Sequence, residues 1–189
     1  MYRTHWNRKR ICYLAVILIL LWFLFRGGYN DYEITGIIEN TNPKDVWEFV
    51  ADFSKMMILN PTIISFKITD DSGNYEHWKY SVIYKERLSH WPYWENVGMA
   101  DYSVRYEQAA STEIYIVASK HTTCFLAGFY CLSSEGDFRF AANGSDTFCR
   151  EKVRYQCPPF FGRMCRREVE FQRNAIMENL KKHFRDKTE

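Results

Sequence analysis

The chain has 189 residues with 25 basic and 23 acidic side chains, which allows one ordinary domain plus a short appendage and excludes two full domains. Hydrophobic residues at 47%, charged residues at 25%, and only 9 Gly and 5 Pro exclude intrinsic disorder and collagen-like or low-complexity architecture. Aromatic residues reach 17%, and rings in that number either fill a core or line an apolar cavity that is not full.

The first element is an uncharged run, Ile11 to Phe25, preceded by Arg3, Arg8, Lys9 and Arg10 and followed by Arg26. Read as a helix, it spans about 22 Å against a hydrocarbon core of roughly 30 Å, so Tyr13, Trp22 and the flanking basic residues have to reach the interfaces of a thin bilayer. A cleaved secretory signal has a similar profile, but Leu24, Phe25 and Arg26 offer no small residues for a peptidase. The sequence therefore predicts an anchor: a cytoplasmic tail over 1–10, a transmembrane signal-anchor over 11–28 and a lumenal or extracellular domain over 29–189. The expected placement is a single-pass membrane protein of the secretory pathway, in the ER, Golgi or plasma membrane, with its N-terminus in the cytoplasm.

Two further features suit that topology. Asn143-Gly144-Ser145 is a glycosylation sequon, with Asn143 as the acceptor. Cys12 falls in the apolar run, whereas Cys124, Cys131, Cys149, Cys157 and Cys165 crowd the last third of the chain, where one or two disulfides leave an odd thiol and the pairing stays open.

Beyond Gly27-Gly28, Glu33 to Glu39 alternates as a first strand. Asn42 then offers an N-cap, Pro43 a first helical position, and Val46, Phe49, Val50, Phe53, Met56 and Met57 an apolar face, up to Pro61. The period switches to two at Ile64, Phe66 and Ile68, and again at Trp78, Tyr80, Val82 and Tyr84 after the Asp70 to Asn74 turn cluster. Tyr102, Val104 and Tyr106 mark the next strand, and Ile114, Ile116 and Ala118 another. Phe138 and Phe140 lead into Asn143-Gly144, a type I′ hairpin signal, and Cys149, Val153 and Tyr155 return. Arg150, Lys152 and Arg154 alternate with them as a solvated sheet face. Past Pro158-Pro159, Phe161, Cys165, Val169, Gln172, Ile176, Leu180 and Phe184 define a long amphipathic helix. This order predicts an α+β domain in which a curved antiparallel sheet grips the C-terminal helix.

The opening ITGIIENTNPKDVWEFVADFSKMMILNP and the ending VRYQCPPFFGRMCRREVEFQRNAIMENLKKHF, with the strands between them, resemble the START-like superfamily of polyketide cyclases, dehydrases and lipid transport proteins, over roughly residues 33 to 185. The resemblance implies a helix-grip fold with an apolar cavity between the sheet and the last helix. Its walls would come from Trp78, Tyr80, Val82, Tyr84, Tyr102, Val104, Tyr106, Phe138 and Phe140, closed by Ile176 and Leu180. Tyrosines dominate that set, and an apolar body with a hydroxyl suits an amphiphilic guest. The chain departs from the family in the apolar loop Cys124 to Cys131, a candidate lid or contact site that a Cys124–Cys131 disulfide would staple, although either residue can instead pair elsewhere.

No Cys-x2-Cys pair points to a metal, no Gly-x-Ser-x-Gly elbow to a nucleophile, and no glycine loop to a phosphate, so neither a metal nor a cofactor is expected. His77, His90 and His121 lack recognisable partner spacing, and Asp52, His77 and His90 are the titratable groups set among apolar residues. No catalytic residue is assigned. Residues 150–189 hold 11 basic and 6 acidic side chains, which complement the end of the last helix, and nucleic acid is not an expected partner. The function expected is binding of a hydrophobic small molecule, a lipid by preference. The alternatives are a cyclase- or hydrolase-type enzyme in the same fold and a membrane-tethered protein-interaction module.

Overall fold

Period-two alternation builds seven strands into one antiparallel sheet, ordered β1-β7-β6-β5-β4-β3-β2. A computed structural model describes residues 2–109, 112–125 and 128–187. The strands are β1 (Gly28–Ile38), β2 (Ile63–Gly73), β3 (His77–Leu88), β4 (Trp91–Ala109), β5 (Thr112–Phe125), β6 (Tyr130–Asn143) and β7 (Asp146–Cys157). Helix α1 (Tyr2–Phe25) precedes them, α2 (Pro43–Ala51) and α3 (Phe53–Leu59) join β1 to β2, and a 3-10 turn (Pro159–Phe161) leads into α4 (Gly162–Arg185).

The helical stretch expected between Asn42 and Pro61 is two helices. Asn42 caps α2 by accepting from the Lys44 amide at 2.9 Å. Asp52 leaves the helical region (φ −78°, ψ 106°), ends α2, and caps α3 by accepting from the Ser54 amide. That break lets Val46, Trp47 and Val50 and then Phe53, Met56 and Leu59 bury against the sheet and against Ile176, Leu180 and Phe184 of α4. Trp47 donates to the Ile116 carbonyl at 3.2 Å, and Tyr80 donates to the Ala51 carbonyl at 2.7 Å, so buried polar atoms fasten α2 to the sheet. At Gly36 the sheet has no side chain, and Met177 of α4 lies directly on its backbone.

The structure adds a strand face and corrects a turn. In β5 the residues turned inward are Tyr115 and Val117, in register with Phe140 and Phe138, while Ile114, Ile116 and Ala118, whose alternation marks the strand, lie on the outer face. Ile116 is nevertheless fully buried there, between its register partners Arg105 and Arg139. In the β6–β7 hairpin, Asn143 pairs with Asp146, so Gly144 and Ser145 are the central residues and only Gly144 has positive φ (67°). That is the requirement of a type II′ turn, not type I′.

The expected membrane anchor is overturned, and with it the single-pass secretory placement with a cytoplasmic N-terminus. Among the described residues, no helix is long and apolar enough to cross a membrane. The physical reason is length: α1 has 24 residues, but its uncharged part starts only at Ile11, after Arg8, Lys9 and Arg10.

The cysteines pair as Cys124–Cys131, directly opposite one another across β5 and β6, and as Cys157–Cys165, which ties the end of β7 to the first turns of α4. Cys149 remains a buried thiol. Leu126 and Ala127 of the candidate lid lie outside the described residues, while Phe129 stands exposed beside them.

Candidate functional site

Most of the concave face of the sheet is filled by α2, α3 and α4. Where inward positions carry small residues, at Ser119, Ser134 and Gly136, the sheet and α4 separate and leave a cavity of about 100 Å³. Its apolar wall is Phe53, Tyr84, Tyr102, Val117, Phe138 and Ile176; its polar wall is Glu86, His121, Thr123, Glu151, Gln172 and Arg173. Gly98 makes the arrangement of the rings feasible: Tyr84 packs against it, and a Cβ there would stand less than 3 Å from the ring.

Four of the expected wall residues, Tyr84, Tyr102, Phe138 and Ile176, line this cavity. Tyr80, Val82, Val104, Phe140 and Leu180 are buried in the packed core, with Tyr80 stacked on Tyr102 at 4.8 Å. Trp78 is half-buried at the margin and donates to Asp71, and Tyr106 is exposed next to Tyr115. Asn143 is exposed at the tip of the β6–β7 hairpin. The titratable candidates lie elsewhere. Asp52 caps α3, His77 meets Ser103 Oγ at 2.9 Å on an exposed surface, and His90 sits in the β3–β4 turn against Ser89.

The polar wall was not anticipated as a unit. Glu86 is 8% exposed, and burial pushes its carboxyl up to about 7, with Glu168 adding to the rise while Arg173 and a Thr123 hydrogen bond oppose it. His121 shows the converse: burial, helped by Arg173, holds its imidazole down at about 3, so the ring is neutral at ordinary pH. Tyr84 Oη lies 3.0 Å from His121 Nδ1, and His121 Nε2 lies 2.9 Å from Ser119 Oγ. The phenol donates to Nδ1 of a neutral ring whose Nε2–H then donates to Ser119. Arg173 Nη1 donates to Glu151 Oε1 at 2.7 Å, while Glu151 Oε2 is buried without a partner among the described residues. The Cys149 thiol is pushed up to about 12 by burial and is no nucleophile at neutral pH.

The β3–β4 turn is fastened to α4 beside this cavity. Glu168 accepts from the Ser89 amide at 3.0 Å and from the Ser89 hydroxyl at 2.7 Å, and the Gln172 amide donates to it at 3.0 Å. A larger hollow, about 980 Å³, crosses the outer face of the sheet. It follows a row of register partners, Asp31, Arg154, Glu135, Lys120 and Asp101, whose charges alternate in sign from strand to strand. Arg150 and Lys152 beside it both pair with Glu33. Cross-strand compensation accounts for these charges, and the inner cavity, with its uncompensated groups, is the candidate site.

No protein-family model matches the chain, and no curated protein matches its sequence. Solved structures do. A START superfamily protein from Mycobacterium smegmatis superposes with a TM-score of 0.54 at 13% identity, covering 84% of this chain and 99% of that one. Ara h 8.0201 gives 0.50 at 12% identity, with 84% and 99% covered. A hypothetical protein from Helicobacter pylori gives 0.55 at 9% identity, with 82% and 87% covered. At these identities the likeness is one of fold.

Proposed function

We propose, from the START-like helix-grip fold this chain carries, that the domain binds a small, largely apolar molecule between the sheet and α4. The observation that supports this is the cavity of about 100 Å³, walled on one side by aromatic rings and on the other by buried polar groups that the core itself does not need. Its volume equals the share of about three water molecules, so the guest is compact unless α4 or the β3–β4 turn moves. A lipid guest requires such a movement, starting with release of Ser89 from Glu168.

Native mass spectrometry and thermal-shift titration of the full chain with small aromatic compounds test the reading. The variant Val117→Phe, which projects a ring into the cavity, should keep the fold and lose uptake. Uptake unchanged in that variant would place the guest elsewhere.

A second reading, acid–base chemistry on the bound guest, is favoured by Glu86, whose carboxyl at about 7 faces the same space as neutral His121. Under that reading Glu86→Gln retains the guest but no longer converts it. Under simple binding the variant leaves the guest's mass unchanged, as wild type does.

A further inference from the structure

The proton and lone-pair inventory of the polar wall is unbalanced in one direction. Its cationic and amide side chains have acceptors within the protein: Arg173 donates to Glu151 and to Gln172 Oε1, and Gln172 Nε2 donates to Glu168. The Tyr84 hydroxyl is taken by His121. Glu86 of the same wall takes a hydrogen bond from Thr123, and one strong acceptor is left without a donor. Glu151 has a side chain only 6% exposed, Arg173 occupies its Oε1, and its Oε2 has no hydrogen-bond partner among the described residues. Glu151 lines the cavity, in register with Phe138 of the aromatic wall.

A buried carboxylate oxygen without a donor is unfavourable, and it becomes favourable as soon as a donor arrives, because hydrogen bonds to a charged group in a dry site are the strong ones. A guest carbonyl or ether oxygen at the same point faces another lone pair. Aromatic rings supply dispersion to any flat apolar body, so the choice between guests of equal size falls to this one atom.

We infer that the cavity selects a compact apolar molecule bearing a hydroxyl, whose O–H donates to Glu151 Oε2. The inference rests on the binding function proposed above and adds the chemistry of the guest's polar end.

Titration of the isotopically labelled full chain with phenol, toluene and benzaldehyde, followed by the amide resonances of β6, β7 and α4, separates the two claims. The three probes are nearly the same size and differ in offering a donor, neither group, or an acceptor only. Phenol should bind at least about tenfold more tightly than toluene or benzaldehyde, although toluene is the least water-soluble of the three. In Glu151→Gln, the amide oxygen has to face Arg173, which turns the amide N–H₂ toward the cavity, and the preference should pass from phenol to benzaldehyde. Equal affinities for phenol and toluene in wild type would overturn donor selection while leaving the cavity a binding site. No perturbation by any of the three would overturn both. If the variant does not fold, the wild-type ranking alone decides.

Discussion

The opposed ionisation of Glu86 and His121 makes a prediction that needs no ligand. In the unfolded chain Glu86 releases its proton near 4.5, whereas in the native state it holds it to about 7. Between those values the native state carries the extra proton, so this group's contribution falls as pH rises, by about 1.4 kcal/mol per pH unit and roughly 3 kcal/mol across the window. His121 acts in reverse. Its native value of about 3 lies below the ordinary 6.5, so the unfolded chain carries the extra proton and stability falls as pH drops through that range. Between pH 4.5 and 6.5 the two slopes cancel. Urea unfolding of wild type, Glu86→Gln and His121→Gln at half-unit steps from pH 4 to 8 unmasks each slope. Relative to its offset at pH 4.5, Glu86→Gln should gain about 3 kcal/mol on wild type by pH 7. His121→Gln should lose ground relative to wild type over pH 4.5 to 6.5. A difference between Glu86→Gln and wild type that is independent of pH would mean that Glu86 is hydrated in the native state, and would refute the desolvated cavity.

Other perturbations test the scaffold around that cavity. Gly98→Ala forces a methyl group against the Tyr84 ring and should cost about 2 kcal/mol in chemical denaturation, with loss of the Tyr84–His121 contact visible in the His121 ring resonances. Arg173→Met strands the buried Glu151 carboxylate and should cost about 3 kcal/mol in urea unfolding; a cost near zero would show that Glu151 is solvated. Cys165→Ser opens a loop with a sequence separation of 8 and should lower stability by about 2.5 kcal/mol under oxidising conditions, with no further effect of added reductant attributable to Cys157.

The sheet and the long helix were legible because each shows a strict period over many residues. Phe161 to Phe184 keeps one face at steps of three and four, and Tyr80, Val82 and Tyr84 are indeed turned inward. The polar half of the site was encoded by the same period but hidden by residue type. Glu86 continues the phase of Tyr80, Val82 and Tyr84, and Glu151 falls between Cys149 and Val153. A charged residue in phase with a buried face was the available signal, and reading charge as solvent exposure passed over it. His121 is hidden for a different reason: the apolar alternation of β5, Ile114, Ile116 and Ala118, runs along its outer face, out of phase with Tyr115, Val117 and His121. Arg173 gave no local signal, since its burial depends on Glu151, 22 positions away in sequence. The break at Asp52 was visible only as a good capping residue inside an apolar pattern that continued through it.

Gly36 has a reach beyond its own position. Because no methyl group stands there, α4 sinks until Met177 touches bare backbone, next to Ile176 and one turn from Arg173 at the cavity wall. The absent side chain therefore acts as a depth gauge for the whole helix. Gly36→Ala would prop α4 outward like a shim, and the first property to change would be the largest guest the domain admits, with Arg173, Glu86 and His121 all still in place.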